Sequence, residues 1–363
     1  MTQNCEIAGV CSGCLWIGRP YEEQVRSKAD SVQNAFREHG IAAPPVEFVS
    51  AGQWGLRDRA DLTLENGRLG LYDVSRTGIA EMHRCPMMSG PLEAWLMEFR
   101  KTRLPEVKKG SLRLRVSPSG LRGVWLDFAN LDVKALLDDG RWLNALLESG
   151  AAVEIGQRRK RLVRTGDRLR LADPKPELWF QAFVPEPIPL WSFVGSFTQP
   201  GFEANRALLE TVTRTLVGVD SPVWLELGSG IGNFTVLLAR RAVRILALEL
   251  DELSVQALEL NVRNNLNVEV VRADYRKAGA GDRILEAGAV LCDPPRSGLG
   301  EFLNELPKFS ALREVIYVSC FLDSFIVDAE RLGNLGFRPV SVAVVDQFPQ
   351  SPHTEIVSRF SKI

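Results

Sequence analysis

Val223-Trp224-Leu225-Glu226-Leu227-Gly228-Ser229-Gly230-Ile231-Gly232-Asn233-Phe234 is where the reading of this chain begins. The run ahead of the first glycine is apolar enough to be a buried parallel strand. Three glycines at alternate positions follow, and the apolar periodicity of Phe234 to Ala239 opens a helix. A strand that ends in a glycine-rich turn and feeds a helix is the nucleotide-binding corner of a doubly wound α/β sheet. With no Cβ in the way, a ligand can sit against the main chain there.

The spacing narrows the ligand. A dinucleotide site asks for G-x-G-x-x-G, with a pyrophosphate on the helix amino terminus. Here the order is Gly228, Gly230, Gly232, with Glu226 just before them. An acid at that corner repels a pyrophosphate and suits a cation. S-adenosylmethionine carries an ammonium and a sulfonium and no phosphate, so these residues favour a methyl donor over a dinucleotide. A glycine turn with no ligand is the plain alternative. On the donor reading, Glu226, Gly228, Gly230, Asn233 and Phe234 frame the site. Glu249, after the strand Arg244 to Leu248, takes the ribose hydroxyls, and Asp274, after the next strand, approaches the adenine.

Beyond Glu249, strand and helix alternate to the end of the chain, and the last two strands are joined without a helix. That predicts a Rossmann-like sheet of seven strands with an antiparallel last strand, the class I S-adenosylmethionine-dependent methyltransferase pattern. Ligands in such sheets lie outside the carboxyl ends of the strands. Three islands fall there: Asp293-Pro294-Pro295-Arg296, Tyr317-Val318-Ser319-Cys320, and Asp346 to Glu355. A cysteine at one strand end and a glutamate one strand later are a nucleophile and a base.

The amino-terminal part reads differently. Cys5, Cys11 and Cys14 fall within ten residues, and Cys85 follows ahead of a proline. Four such thiolates suit a [4Fe–4S] cluster; zinc and unliganded thiols stay open as alternatives. The gaps of five and two residues do not match a radical enzyme of the S-adenosylmethionine type. A helix is expected from Pro20 to Gly40, a hairpin across Asn66-Gly67, and a second hairpin from Leu112 to Phe128. One helix is expected from Leu131 to Ser149. The proline-rich stretch Asp173 to Pro189 reads as a linker. These features divide the chain into an iron–sulfur region (1–90), a small α+β RNA-binding domain with its linker (91–190) and a methyltransferase domain (191–363).

Composition bounds the partners. The chain has 363 residues, 45% of them hydrophobic and 25% charged, as in ordinary globular proteins. The net charge of −1 supplies no global field for nucleic acid, so any basic surface is local. Gln157 to Arg170 is the most basic window, and Arg158, Arg159, Lys160 and Arg161 are its candidate phosphate contacts. No apolar run approaches ~20 residues, so no membrane span is expected. The polar amino terminus is no secretory signal, which points to a cytoplasmic protein with reduced thiols; no obligate protein partner is evident, so a monomer is expected.

Taken together, the four cysteines, Phe197-Thr198-Gln199, the glycine corner, Asp293-Pro294-Pro295-Arg296, Val318-Ser319-Cys320 and the Phe348-Pro349…His353-Thr354-Glu355 ending resemble the RNA uracil-5-methyltransferases of the RumA, RumB and TrmA type. The chain opens directly at the cluster cysteines, so its layout is most similar to RumB. The resemblance implies that Cys320 adds to C6 of a uracil in RNA, ribosomal RNA before transfer RNA. It implies that C5 then accepts the methyl group and that Glu355 removes the C5 proton. Asp293 and Gln199 would hold the uracil edge or the donor. Two positions depart from the family: Phe321-Leu322 stands where Asn-Pro is common, and Gly201 where Asn is usual. Two other classes compete: an RNA-binding or folding factor on the same scaffold, and a nicotinamide or iron–sulfur oxidoreductase.

Overall fold

The computed structural model describes residues 5–277 and 279–363, which gather into two compact units. One unit takes residues 5–19, 52–180 and 192–202; the other takes 20–51, 181–191 and 203–363. The units therefore interleave along the chain, whereas the sequence pattern predicts contiguous segments divided at 90 and 190. Residues 20–51 cross over because they complete the carboxyl-terminal sheet.

That sheet has eight strands, one more than expected. Their order is Glu47–Ser50, Phe337–Asp346, Glu355–Lys362, Glu314–Ser319, Ala289–Cys292, Val223–Leu227, Arg244–Glu249 and Val268–Arg272. The extra strand, Glu47–Ser50, runs parallel to Ala343 through Asp346 and covers an edge that would otherwise expose unpaired backbone. Glu355–Lys362 is antiparallel to both of its neighbours, as the helix-free connection before it predicts, and the remaining pairs are parallel. The helix Tyr21–Glu38 lies on this sheet through Val32 and Phe36, both fully buried. The Phe36 ring meets Phe325 edge-on at 5.7 Å.

The other unit is built on a second eight-stranded sheet, much larger than the small domain expected. Its order is Ile79–Glu81, Arg68–Tyr72, Arg59–Glu65, Gly110–Val116, Arg122–Phe128, Ala152–Ile155, Lys160–Thr165 and Arg168–Ala172. The Asn66-Gly67 hairpin is present, with both residues at positive φ (50° and 77°). Trp95, Phe99, Phe128 and Trp142 pack the core against this sheet. The single helix expected from Leu131 to Ser149 is two, Asn130–Asp139 and Arg141–Glu148, broken at Gly140 with φ 68°. The expected linker is a two-stranded ribbon, Glu177–Phe183 with Pro187–Ser192. Pro187 and Pro189 fit there because a ribbon strand has one open side that needs no N–H donors. Among the described residues no helix is long and apolar enough to cross a membrane.

Candidate active site

The parallel strands of the carboxyl-terminal unit all end at one edge of the sheet. The antiparallel strand starts at that edge, and its first residue is Glu355, paired with Val345. On its other side Ser319 pairs with Ile356, so Cys320, one residue further on, comes level with Glu355. Cys292 pairs with both Leu227 and Tyr317, which brings Asp293 to the same edge beside the glycine corner. Gly228 has no room for a side chain: a Cβ there would stand 2.9 Å from the Asp293 carbonyl oxygen.

The electrostatics confirm this convergence. Burial pushes the Cys320 thiol up to about 11, with Glu355 and Asp293 adding to the rise and Arg296 opposing it. Glu355 is 2% exposed, and burial together with the Asp293 charge holds its pKa well above the carboxylate range. The nearby Gln347 side chain works the other way. Removal from water raises Asp293 to about 7. Arg296 lies over the Phe321 ring, 4.3 Å from its centroid. A half-buried thiol, two buried acids with raised pKa values and one guanidinium thus share a single strand edge.

The glycine corner is acidic and partly unsatisfied. Glu226 is fully buried, and neither of its carboxylate oxygens has a hydrogen-bond partner among the described residues. Thr235 is near enough to lower the carboxyl pKa a little, but its hydroxyl does not reach hydrogen-bonding geometry. Burial, then Asp293 and Glu249, raise Glu226 to about 8. Glu249 is held by three backbone N–H groups, from Gly230 at 2.8 Å and from Leu250 and Asp251 at 2.7 Å. The remaining donor-site candidates are placed less openly. The Asp274 carboxylate is bracketed by Arg276, which lowers its pKa. The Asn233 amide is paired reciprocally with Asn205 at 2.8 and 2.9 Å, and Phe234 is buried in the core.

Gln199 belongs to the other unit, on a segment fastened by arginines that sequence reasoning passed over. Arg113 donates to the Gly195 and Ser196 carbonyls, Arg115 to that of Phe193, and Arg59 to that of Thr198. Arg115 is 1% exposed, and burial drives its pKa down. The sequence signal of Arg113 and Arg115 is arginine alternating with leucine and valine, the pattern of a strand with one charged face. On the same segment Phe197 is 64% exposed, with the Arg59 guanidinium 5.2 Å from its ring centroid. Gly201, where the family usually has Asn, packs on the Leu56 carbonyl: a Cβ there would fall 1.8 Å from that oxygen.

Among the described residues no group of three or more His, Cys, Asp and Glu adopts a metal-ligating arrangement. The four amino-terminal cysteines are nonetheless neighbours. Burial, then Cys85, Cys11 and Cys5, push Cys14 up to about 12, while Arg57 opposes the rise. The Gly13 N–H donates to the Cys11 sulfur at 3.4 Å, and the Cys85 loop is hydrogen-bonded to Gly55 and Arg57. Four adjacent thiols, an N–H on sulfur and a nearby guanidinium suit an anionic thiolate-ligated cluster in donor type. In the basic window, Lys160 pairs with Asp173 and Arg161 with Glu177, while Arg158 and Arg159 are exposed.

A glycine corner lined by acids, at the carboxyl edge of a sheet with this strand order, defines a class I S-adenosylmethionine-dependent methyltransferase. Residues 191–362 match the family model described as tRNA (uracil-5-)-methyltransferase. An uncharacterised RNA methyltransferase of Bdellovibrio bacteriovorus is 40% identical, over 98% of this chain and 94% of its own. A 23S rRNA (uracil(1939)-C(5))-methyltransferase of Alkalilimnicola ehrlichii is 29% identical, over 99% and 82%. The crystal structure of the Pyrococcus abyssi tRNA (uracil-54, C5)-methyltransferase with S-adenosyl-L-homocysteine shares the fold. Its TM-score is 0.69 at 18% identity, over 99% of this chain and 88% of that one. The chain belongs to the RNA uracil-5-methyltransferase family.

Proposed function

We propose that this enzyme methylates C5 of a uridine in RNA, ribosomal RNA in the first place, through a covalent bond between Cys320 and C6 of the uracil. The observation that carries this reading is the strand register that sets Cys320 level with Glu355, with Asp293 beside them. C5 of uracil is too weak a nucleophile on its own. Addition of the Cys320 thiolate to C6 moves negative charge onto C5, which would take the methyl group as its bond to the donor sulfonium breaks; Glu355 then takes the C5 proton, the C5–C6 double bond re-forms and Cys320 leaves as the thiolate. The base must leave its stack to reach the thiol. The exposed Phe197 ring with Arg59 beside it supports an RNA-facing role, since such pairs stack bases. Arg158 and Arg159 are candidate phosphate contacts.

S-adenosylmethionine, when bound, supplies a methyl group activated on a sulfonium. The orphaned Glu226 oxygens, with Asp293 and Glu249 near, suit its positive charges. Glu249, aligned by its three N–H donors, would accept the ribose hydroxyls. Cys5, Cys11, Cys14 and Cys85 are proposed to hold a [4Fe–4S] cluster that ties residues 5–14 to the Cys85 loop.

The test separates the two central residues. Glu355→Gln should accumulate a methylated protein–RNA adduct that survives denaturing electrophoresis and carries label from the donor methyl. Cys320→Ala should bind donor and form neither product nor adduct. Normal turnover by Glu355→Gln, or product from Cys320→Ala, would overturn the mechanism.

A further inference from the structure

Two side chains on the helix Tyr21–Glu38, far from the catalytic residues in sequence, reach the loop that leads into Glu355. Lys28 is fully buried, and its ammonium donates to Asp346 Oδ1 at 2.6 Å and to the Phe348 carbonyl at 2.8 Å. Gln24, also fully buried, binds Gln350 twice: its Nε2 donates to Gln350 Oε1 at 3.0 Å, and its Oε1 accepts the Gln350 N–H at 2.9 Å. Tyr21, one turn earlier, donates to Asp346 Oδ2 at 2.9 Å. These contacts span the whole 346–350 turn, which follows directly on Val345, the strand partner of Glu355; Gln347, near enough to lower the pKa of the Glu355 carboxyl, lies inside it.

Gln350 has φ 65°, a left-handed conformation uncommon for a residue with a Cβ. The two bonds from Gln24 hold it there. None of the three helix residues lies within the 191–362 stretch that matches the family model.

We infer that Gln24 and Lys28 are positioning residues for the base: they hold the 346–350 turn so that Gln347 aims the Glu355 carboxylate at the C5 proton. The inference rests on the proposed role of Glu355. Its signature is specific to one step. Loosening the turn slows proton removal, which follows methyl transfer, and leaves thiol addition and donor binding intact.

The test uses the full-length enzyme, labelled S-adenosylmethionine and total RNA from cells lacking the gene. Gln24→Met removes both bonds to Gln350 and leaves no buried charge; Lys28→Met is the second variant, and Glu355→Gln the reference. For Gln24→Met, kcat should fall roughly tenfold or more, as small misplacements of catalytic groups do. The kcat/KM for RNA and donor affinity should stay unchanged, so the RNA KM falls together with kcat, and labelled adduct should accumulate as in Glu355→Gln. If Glu355→Gln accumulates adduct while Gln24→Met turns over like wild type, or loses activity without adduct, the positioning role is wrong and the base assignment stands. If Glu355→Gln accumulates none, the base assignment itself falls and this inference with it.

Discussion

Cys320 and Glu355 come level across an antiparallel ladder, one register step beyond the Ser319–Ile356 pair. The single reversed direction in this sheet is what puts them together. In an all-parallel sheet, the first residue of the last strand would lie at the far edge from Cys320.

Buried carboxyls at the glycine corner make stability depend on pH. Glu226 is raised to about 8 and Asp293 to about 7, both above their ordinary range. Groups shifted this way hold protons more tightly in the folded state, so their contribution is most favourable below about pH 4 and declines as pH rises through the raised values. The donor-free enzyme should lose unfolding free energy in urea between pH 5 and 8. Glu226→Gln should flatten that decline, and S-adenosylmethionine should flatten it in the wild type. A Glu226→Gln slope equal to or steeper than that of the wild type would contradict the assignment.

Phe321, a departure from the family, acts through Arg296. The guanidinium stacked on its ring opposes the rise of the Cys320 pKa. A cation–π contact of ~0.5–1 kcal/mol corresponds to a two- to fivefold effect on thiolate population. Phe321→Ala should slow iodoacetamide modification of the Cys320 peptide by about that factor at pH 8, Arg296→Met by more, and Phe321→Tyr hardly at all. Equal rates in all four proteins would show that the stack leaves the thiol unaffected.

Gly201→Asn, which restores the residue usual in the family, should destabilise the protein. Its Cβ would meet the Leu56 carbonyl at 1.8 Å, and neither backbone can move freely, because Asp58 accepts from Phe202 N–H and donates its own N–H to Pro200. A loss of roughly 1–3 kcal/mol is expected from such overpacking. Unfolding at the wild-type denaturant midpoint would mean that the segment accommodates a side chain.

Protein purified without oxygen should contain iron and sulfide at about four each per chain. Cys85→Ser should lower both. Stoichiometric zinc without sulfide would reject the cluster and return the four thiols to a zinc site.

The proposed catalytic and donor-site residues stand out in the sequence because each sits where a strand pattern stops and carries chemistry a turn does not need. Glu226 before its glycines, Asp293 before two prolines, Cys320 after Val318-Ser319, and Glu355 after a helix-free connection are all local signals. The antiparallel last strand follows from the same connection. What the sequence did not disclose depends on partners far apart in the chain. Lys28 reads as one more polar residue on an amphipathic helix until Asp346, 318 positions later, is seen to neutralise it. Glu47–Ser50 is too short to announce a strand, and only the exposed edge of Phe337–Asp346 makes it one. Arg115 is buried because the carbonyls of Phe193 and Val194 arrive to receive its protons. Local pattern records what a residue prefers in isolation. Burying a charge or closing a sheet edge is favourable only after the chain has folded back to supply the other half of the interaction.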